Sequence, residues 1–142
     1  MATINPYLNF MGNTEEAFLF YQSVFKTPFL ALVRFKDTPE AGKLSVADRE
    51  KIMHISLPIG KHNVIMGTDT LESDGHLLVK GGNVFLSIGT ESVEEAESVF
   101  YGLSKDGTIQ MPLQNTFWQS YFGMLIDQFG VKWMVNYDYP KQ

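Results

Sequence analysis

A chain of 142 residues, 44% hydrophobic and 19% charged, has the length and balance of one globular domain able to bury a core. Its net charge of −5, with no cluster of Lys and Arg, argues against nucleic acid or an anionic lipid surface as partner. Cysteine is absent, which excludes disulfides, thiolate catalysis and cysteine metal sites. No apolar run approaches the roughly 18–20 residues of a membrane span, and the N-terminus lacks the basic-then-apolar pattern of a signal peptide. The expected location is therefore cytoplasmic. Eleven Phe, six Tyr and two Trp are a core by default and the walls of a small-molecule cavity otherwise.

Thr3 to Phe10 reads as a strand, with Leu8 and Phe10 alternating against Tyr7 and Asn9. A helix follows, with Asn13 as its expected N-cap and Glu16 completing a capping box. Ala17, Phe20, Tyr21, Val24 and Phe25 fall at helical spacing, and Pro28 marks the end. Phe29 to Phe35 reads as a second strand, and the polar Asp37–Glu50 segment, with Pro39 and Gly42, as a long mobile loop. Lys51 to Ile59 and Asn63 to Gly67 read as a hairpin turned at Gly60-Lys61-His62. Thr68 to Gly82 is a second polar connection.

The pattern then restarts. Asn83 to Ile88 reads as a strand with Val84, Leu86 and Ile88 on one face. Ser92 can cap a helix with Glu95 three residues on, and Ala96, Val99, Phe100 and Leu103 form its stripe. Glu94-Glu95-Ala96 echoes Glu15-Glu16-Ala17. Thr108 to Met111, Thr116 to Ile126 and Val131 to Tyr137 supply three further strands, with Gly130 in the last turn. Each half thus reads β-α-β-β-β, as a duplication would. The expected class is α+β: two modules, about 1–70 and 80–142, in one domain, with two curved mixed sheets around a cleft.

Three segments carry a family resemblance. They are Pro6-Tyr7-Leu8-Asn9-Phe10 with Gly12-Asn13, Glu15-Glu16-Ala17 and Phe20-Tyr21; Met53-His54 through Leu57 to Ile59-Gly60; and Phe117-Trp118 with Tyr121-Phe122-Gly123, Asp127, Phe129-Gly130 and Trp133. Together they resemble the PhnB-like branch of the glyoxalase/bleomycin-resistance, or vicinal-oxygen-chelate, superfamily, over almost the whole chain. The resemblance implies paired βαβββ modules, usually assembled as a homodimer. It also implies either a metal-dependent lyase, isomerase or dioxygenase or a metal-free protein that sequesters a small molecule. A fold shared by such different chemistries leaves the choice to the site.

The metal enzymes of that superfamily draw His, Gln or Glu ligands from the first and last strand of each module. The matching strands here offer Asn5, Tyr7 and Asn9; Val64, Ile65 and Met66; Asn83, Phe85 and Ser87; and Trp133, Met134 and Asn136. No slip of register puts a His or carboxylate in all four, so no metal and no cofactor is expected. His62 and His76 sit in polar connections, whereas His54 lies inside an apolar strand where alternation with Met53, Ile55 and Leu57 turns it to the other face. No glycine-rich phosphate loop is present, which counts against the methyltransferase label attached to some relatives, and no G-x-S-x-G elbow is present either. Glu15-Glu16 and Glu94-Glu95 answer helix dipoles, Trp133 reads as packing, and Asp127 as a turn-former.

The candidate ligand-binding residues are Tyr7, Asn9, His54, Ser56, Phe85, Ser87, Trp118, Ser120, Phe122 and Asn136. Aromatic walls with a few amides and hydroxyls suit a small aromatic or amphipathic molecule. The expected function is small-molecule binding of the sequestering kind. The alternatives are a lyase or dioxygenase with unusual metal ligands, and a dimeric scaffold without a ligand.

Overall fold

The computed structural model describes residues 2–74, 78 and 81–141. The chain divides into two compact units, Met1–Lys80 and Gly81–Gln142. His76 and much of the second polar connection lie outside the described residues.

The first unit runs β1 (Tyr7–Phe10), α1 (Thr14–Phe25), β2 (Ala31–Arg34), α2 (Val46–Arg49), β3 (Ile52–Ile59) and β4 (Asn63–Asp69). Its four-stranded sheet has the order β1-β4-β3-β2, with β1 parallel to β4 and the other pairs antiparallel. The second unit repeats this plan with β5 (Leu86–Gly89), α3 (Val93–Ser104), β6 (Thr108–Asn115), β7 (Ser120–Ile126) and β8 (Lys132–Asp138), in the order β5-β8-β7-β6. Each sheet is covered by its helix on one face: α1 packs on β3 and β4, and α3 on β6, β7 and β8. The βαβββ reading holds in both units, and repetition of the strand order supports duplication more strongly than the short Glu-Glu-Ala echo.

The cores follow from these faces. In the first unit Phe10, Ala17, Phe18, Tyr21, Ile52, Ile55, Leu57 and Ile65 are buried. The stripe of α1 is Thr14, Ala17, Phe18 and Tyr21, not the expected set. Phe20, Val24 and Phe25 are only half-buried, because the helix is rotated to set Phe18 over Gly67. A Cβ at Gly67 would lie 2.6 Å from Phe18 Cε1, so the missing side chain is what admits the ring. In the second unit Gly123 admits Phe100 in the same way, and Trp133, Leu125 and Val135 complete the core.

Capping differs between the helices. Ser92 accepts from the Glu95 amide at 3.0 Å, and the Glu95 carboxylate accepts from the Glu91 amide at 2.9 Å, so α3 has a local cap. Asn13, expected to cap α1, makes no side-chain cap. The buried Asp69 at the end of β4 does so instead. Its Oδ1 accepts from the amides of Gly12 (3.0 Å) and Thr14 (3.1 Å) and from Thr14 Oγ1 (2.7 Å), while Oδ2 accepts from the Ile52 amide (2.8 Å). A carboxylate there also answers the helix dipole.

Several boundaries are corrected. β1 starts at Tyr7 rather than Thr3, β5 starts at Leu86, and Val84 is 67% exposed rather than on a buried face. β6 continues to Asn115, whereas β7 starts at Ser120, so Thr116–Gln119 turns the chain instead of extending it. Gln119 adopts φ 65°, a turn conformation that a continuing strand excludes. Asp37–Glu50 is not one irregular loop but a series of short helical turns: 3₁₀ turns at Phe35–Asp37 and Ala41–Lys43, then α2 capped by Ser45. Arg49 holds it together by donating from Nε to the carbonyls of Ala41 and Leu44.

Asp69→Ala would leave buried amide donors from three segments without an acceptor. The expected loss is about 3 kcal/mol or more of unfolding free energy, read from the midpoint of urea denaturation. An unchanged midpoint would show that α1 does not depend on this cap.

Candidate functional site

Pairing registers assign the side chains of each sheet to a face. In the first unit Ile55 and Leu57 point to α1, so His54 and Ser56 point away from it. The expected partner set for this alternation was Met53, Ile55 and Leu57; the observed one is Ile52, Ile55 and Leu57. A β-bulge accounts for the difference. Val33 pairs with His54 but Arg34 pairs with Ile52, leaving Met53 as the extra residue and half-buried. Thr68 Oγ1 donates to the Met53 carbonyl at 2.7 Å and holds the bulge.

Ser56, Met66 and Tyr7 are in register across β3, β4 and β1, and Thr68 is paired with Asn9. Tyr7, Asn9, His54 and Ser56 therefore share the helix-free face of the first unit. Tyr7 Oη lies 3.1 Å from His54 Nδ1, with ring centroids 5.8 Å apart and planes tilted at 45°. Burial pushes the Tyr7 phenol above its ordinary pKa. Ser56 is 6% exposed and Tyr7 45% exposed.

In the second unit Ser87 pairs with Met134 and Met134 with Met124, while Asn136 pairs with both Gly89 and Phe122. Ser87, Asn136 and Phe122 share that unit's helix-free face, opposite Trp133, Leu125 and Val135. Phe85 precedes β5 and lies under Lys132 Nζ, 5.5 Å from its ring centroid. Trp118 stands in the Thr116–Gln119 turn, 55% exposed, with its ring edge-on to Phe117 and Phe122 at 4.9 and 6.2 Å. Ser120 is 1% exposed and its hydroxyl donates to Asp138 Oδ1.

Asp138 and the methionines Met66, Met124 and Met134 were not read as site residues. Alternation from Phe122 and Asn136 reaches both Met124 and Met134, so the signal was there; a Met pair across two strands gives an adaptable apolar floor. Asp138 Oδ1 collects the Ser120 hydroxyl and the Asn136 amide, the latter at 3.0 Å. The Ser120 hydrogen bond above all, then that of Asn136, holds its carboxyl below the ordinary range, with burial opposing and Lys141 assisting. Beside this network a shallow hollow of about 500 Å³ is lined by Asn115, Thr116, Gln119, Tyr139 and Pro140.

Among the described residues no three His, Cys, Asp or Glu side chains lie close enough to hold an ion. Asp69 and Asp127 are committed elsewhere: Asp127 accepts from the Phe129 and Val131 amides and from Trp133 Nε1 at 2.8 Å, binding the β7–β8 turn to the core.

Comparison with known proteins agrees with this architecture. A sequence model of the family described as 3-demethylubiquinone-9 3-methyltransferase matches residues 2–136. The chain belongs to that PhnB-like family. Protein YjdN of Escherichia coli is 33% identical over 137 residues, covering 94% of this chain and 93% of the relative. The crystal structure of PA1353 from Pseudomonas aeruginosa superposes with a TM-score of 0.84 at 36% identity, over 97% of this chain and 98% of that one. A glyoxalase/bleomycin resistance protein/dioxygenase family enzyme from Burkholderia phytofirmans shares the fold, with a TM-score of 0.64 at 16% identity over 94% and 97% of the two chains. The fold is thus that of the glyoxalase/bleomycin-resistance proteins.

A depressed carboxyl pKa contributes stability that is present above the unfolded value and lost as pH falls through the folded one. In a carboxyl-carbon NMR titration Asp138 should therefore titrate below the ordinary Asp value of roughly 3.9. In Ser120→Ala its midpoint should rise toward that value; no movement would remove Ser120 as the main cause.

Proposed function

We propose that this PhnB-like protein binds a small amphipathic or aromatic molecule on the helix-free faces of its sheets, without a metal ion, in the manner of a sequestering protein. The reading is carried by one observation: the Tyr7–His54 pair shares its helix-free face with the uncharged polar side chains of Asn9, Ser56 and Thr68 and with the apolar ones of Ala31, Val33 and Met66. Few polar groups among aromatic and thioether side chains suit a ligand with an apolar body and one polar end. The family description names a methyltransferase. Each strand-to-helix junction here holds a single glycine, Gly12 after β1 and Gly89 before α3, and neither forms the multi-glycine loop that cradles a nucleotide cofactor. Binding rather than methyl transfer is therefore the function we favour.

His54→Gln keeps a hydrogen-bonding side chain but removes the imidazole ring. In a thermal-shift screen of aromatic compounds against the wild type, a binder should raise the melting temperature, because it stabilises only the folded state. Its affinity should fall several-fold in His54→Gln while the fold survives, and an unchanged affinity would take His54 out of the site. Stoichiometric metal in the purified wild type, lost in the variant, would replace the metal-free reading with a metal-dependent one.

A homodimer is the assembly we propose. Each four-stranded sheet ends in strands paired on one side only within the sheet, β1 and β2 in one and β5 and β6 in the other, and such edges need cover. Sedimentation at micromolar concentration should give twice the 16.1 kDa chain mass. A single 16.1 kDa species would refute the dimer.

A further inference from the structure

The contact between Tyr7 and His54 has a direction, and the direction names a ligand chemistry. A phenol is a good donor and a poor acceptor, whereas the unprotonated nitrogen of a neutral imidazole is a good acceptor. The two side chains reach each other across the intervening strand β4, since the sheet order is β1-β4-β3, and meet through their polar atoms rather than by stacking. We propose that Tyr7 is a positioning residue: its hydroxyl donates to His54 Nδ1 and holds the neutral imidazole in the tautomer that carries its proton on Nε2. The helix-free face then offers one fixed, uncharged N–H donor, suited to a carbonyl-type oxygen on a small molecule. This rests on the ligand-binding reading above and specifies the chemistry of that site.

Four further observations support it. Burial raises the Tyr7 pKa, so the phenol keeps the proton it must donate. Asn9, Ser56, Met66 and Thr68 share the face with the pair, and none is cationic. The one cation of β2, Arg34, is turned to the helix side, where it grips Glu15 with two hydrogen bonds of 3.1 and 2.6 Å. A carboxylate set against His54 would lose water without gaining a counter-charge, whereas a ketone or amide oxygen would lose far less. Thr68, which could compete as a donor, spends its hydroxyl on the bulge carbonyls.

Long-range ¹H–¹⁵N correlation spectra of uniformly labelled protein test this, recorded about two pH units above the ordinary imidazole pKa of roughly 6.5. His54→Gln assigns the resonances. In the wild type His54 Nδ1 should show the shift of an unprotonated, acceptor nitrogen and Nε2 that of a protonated one. In Tyr7→Phe, with its amide spectrum confirming the fold, both should move toward tautomer-averaged positions. A protonated Nδ1 in the wild type, or spectra unchanged in Tyr7→Phe, overturns the proposal. Acetophenone and benzoate, added separately at millimolar concentration, then probe the ligand class. Displacement of the His54 Nε2–H signal by the ketone at a concentration where benzoate has several-fold less effect supports it, and preference for benzoate overturns it. If the tautomer is as stated and neither probe perturbs His54, the carbonyl assignment falls and the binding reading falls with it, while the positioning role of Tyr7 stands.

Discussion

The first unit is organised around one buried carboxylate. Asp69 gathers amides from the loop before α1, from the first turn of α1 and from the start of β3, and so fixes helix and strands at a single point. Its neighbour Thr68 faces the other way and ties the bulge at Met53. Two consecutive residues of β4 thereby decide the phase of β3, with Ile52 inward on one side of the bulge and His54 outward on the other. Without the extra residue, every side chain beyond that point would change faces. The Tyr7–His54 contact is a consequence of that phase.

The second unit reaches the same topology by different means. Its helix is capped by its own Ser92 and Glu95, leaving the end of β8 free of capping duty. The buried carboxylate is Asp127, placed at the β7–β8 turn, where it anchors the indole of Trp133. Glycine provides room for a helix ring in both units, at Gly67 and at Gly123, but on different strands. The same strand order is thus packed by different residues in each half. The helix-free faces diverge further: a Tyr–His pair in one, a methionine floor with an Asn–Asp–Ser network in the other.

This division of labour suits a family whose fold is shared by dissimilar activities. The helix-covered faces hold the cores and tolerate little change in volume, while the opposite faces carry no such constraint and can be rewritten for a ligand. Among the described residues no three potential metal ligands cluster on these faces, and the Asp138 carboxylate there serves as a hydrogen-bond acceptor for Ser120 and Asn136. That chemistry is the physical basis for reading the chain as a binder.

Much of this was legible from residue order. Alternation in β3 from His54 onward and throughout β8, the capping pair Ser92 and Glu95, and the restart of the pattern after Gly82 are local features, and local features leave a period in the sequence. The same alternation set Tyr7 and Asn9 on the face of β1 opposite Leu8 and Phe10. The bulge at Met53 left no such mark, because it depends on a hydroxyl supplied fifteen residues later by Thr68. The cap of α1 was misplaced on Asn13 for the same reason: its acceptor, Asp69, is brought in by the parallel pairing of β1 with β4, a contact of long sequence separation. Trp118 was read into a strand because aromatic residues favour strands, and only the positive φ at Gln119 and the pairing register set it in a turn. Composition and periodicity thus determined the elements, their order and the faces they present. The meeting of Tyr7 with His54, the burial of Ser120 against Asp138 and the commitment of Asp69 and Asp127 to backbone amides were decided by tertiary structure, since each joins groups that only strand pairing or a closed turn brings within hydrogen-bond reach.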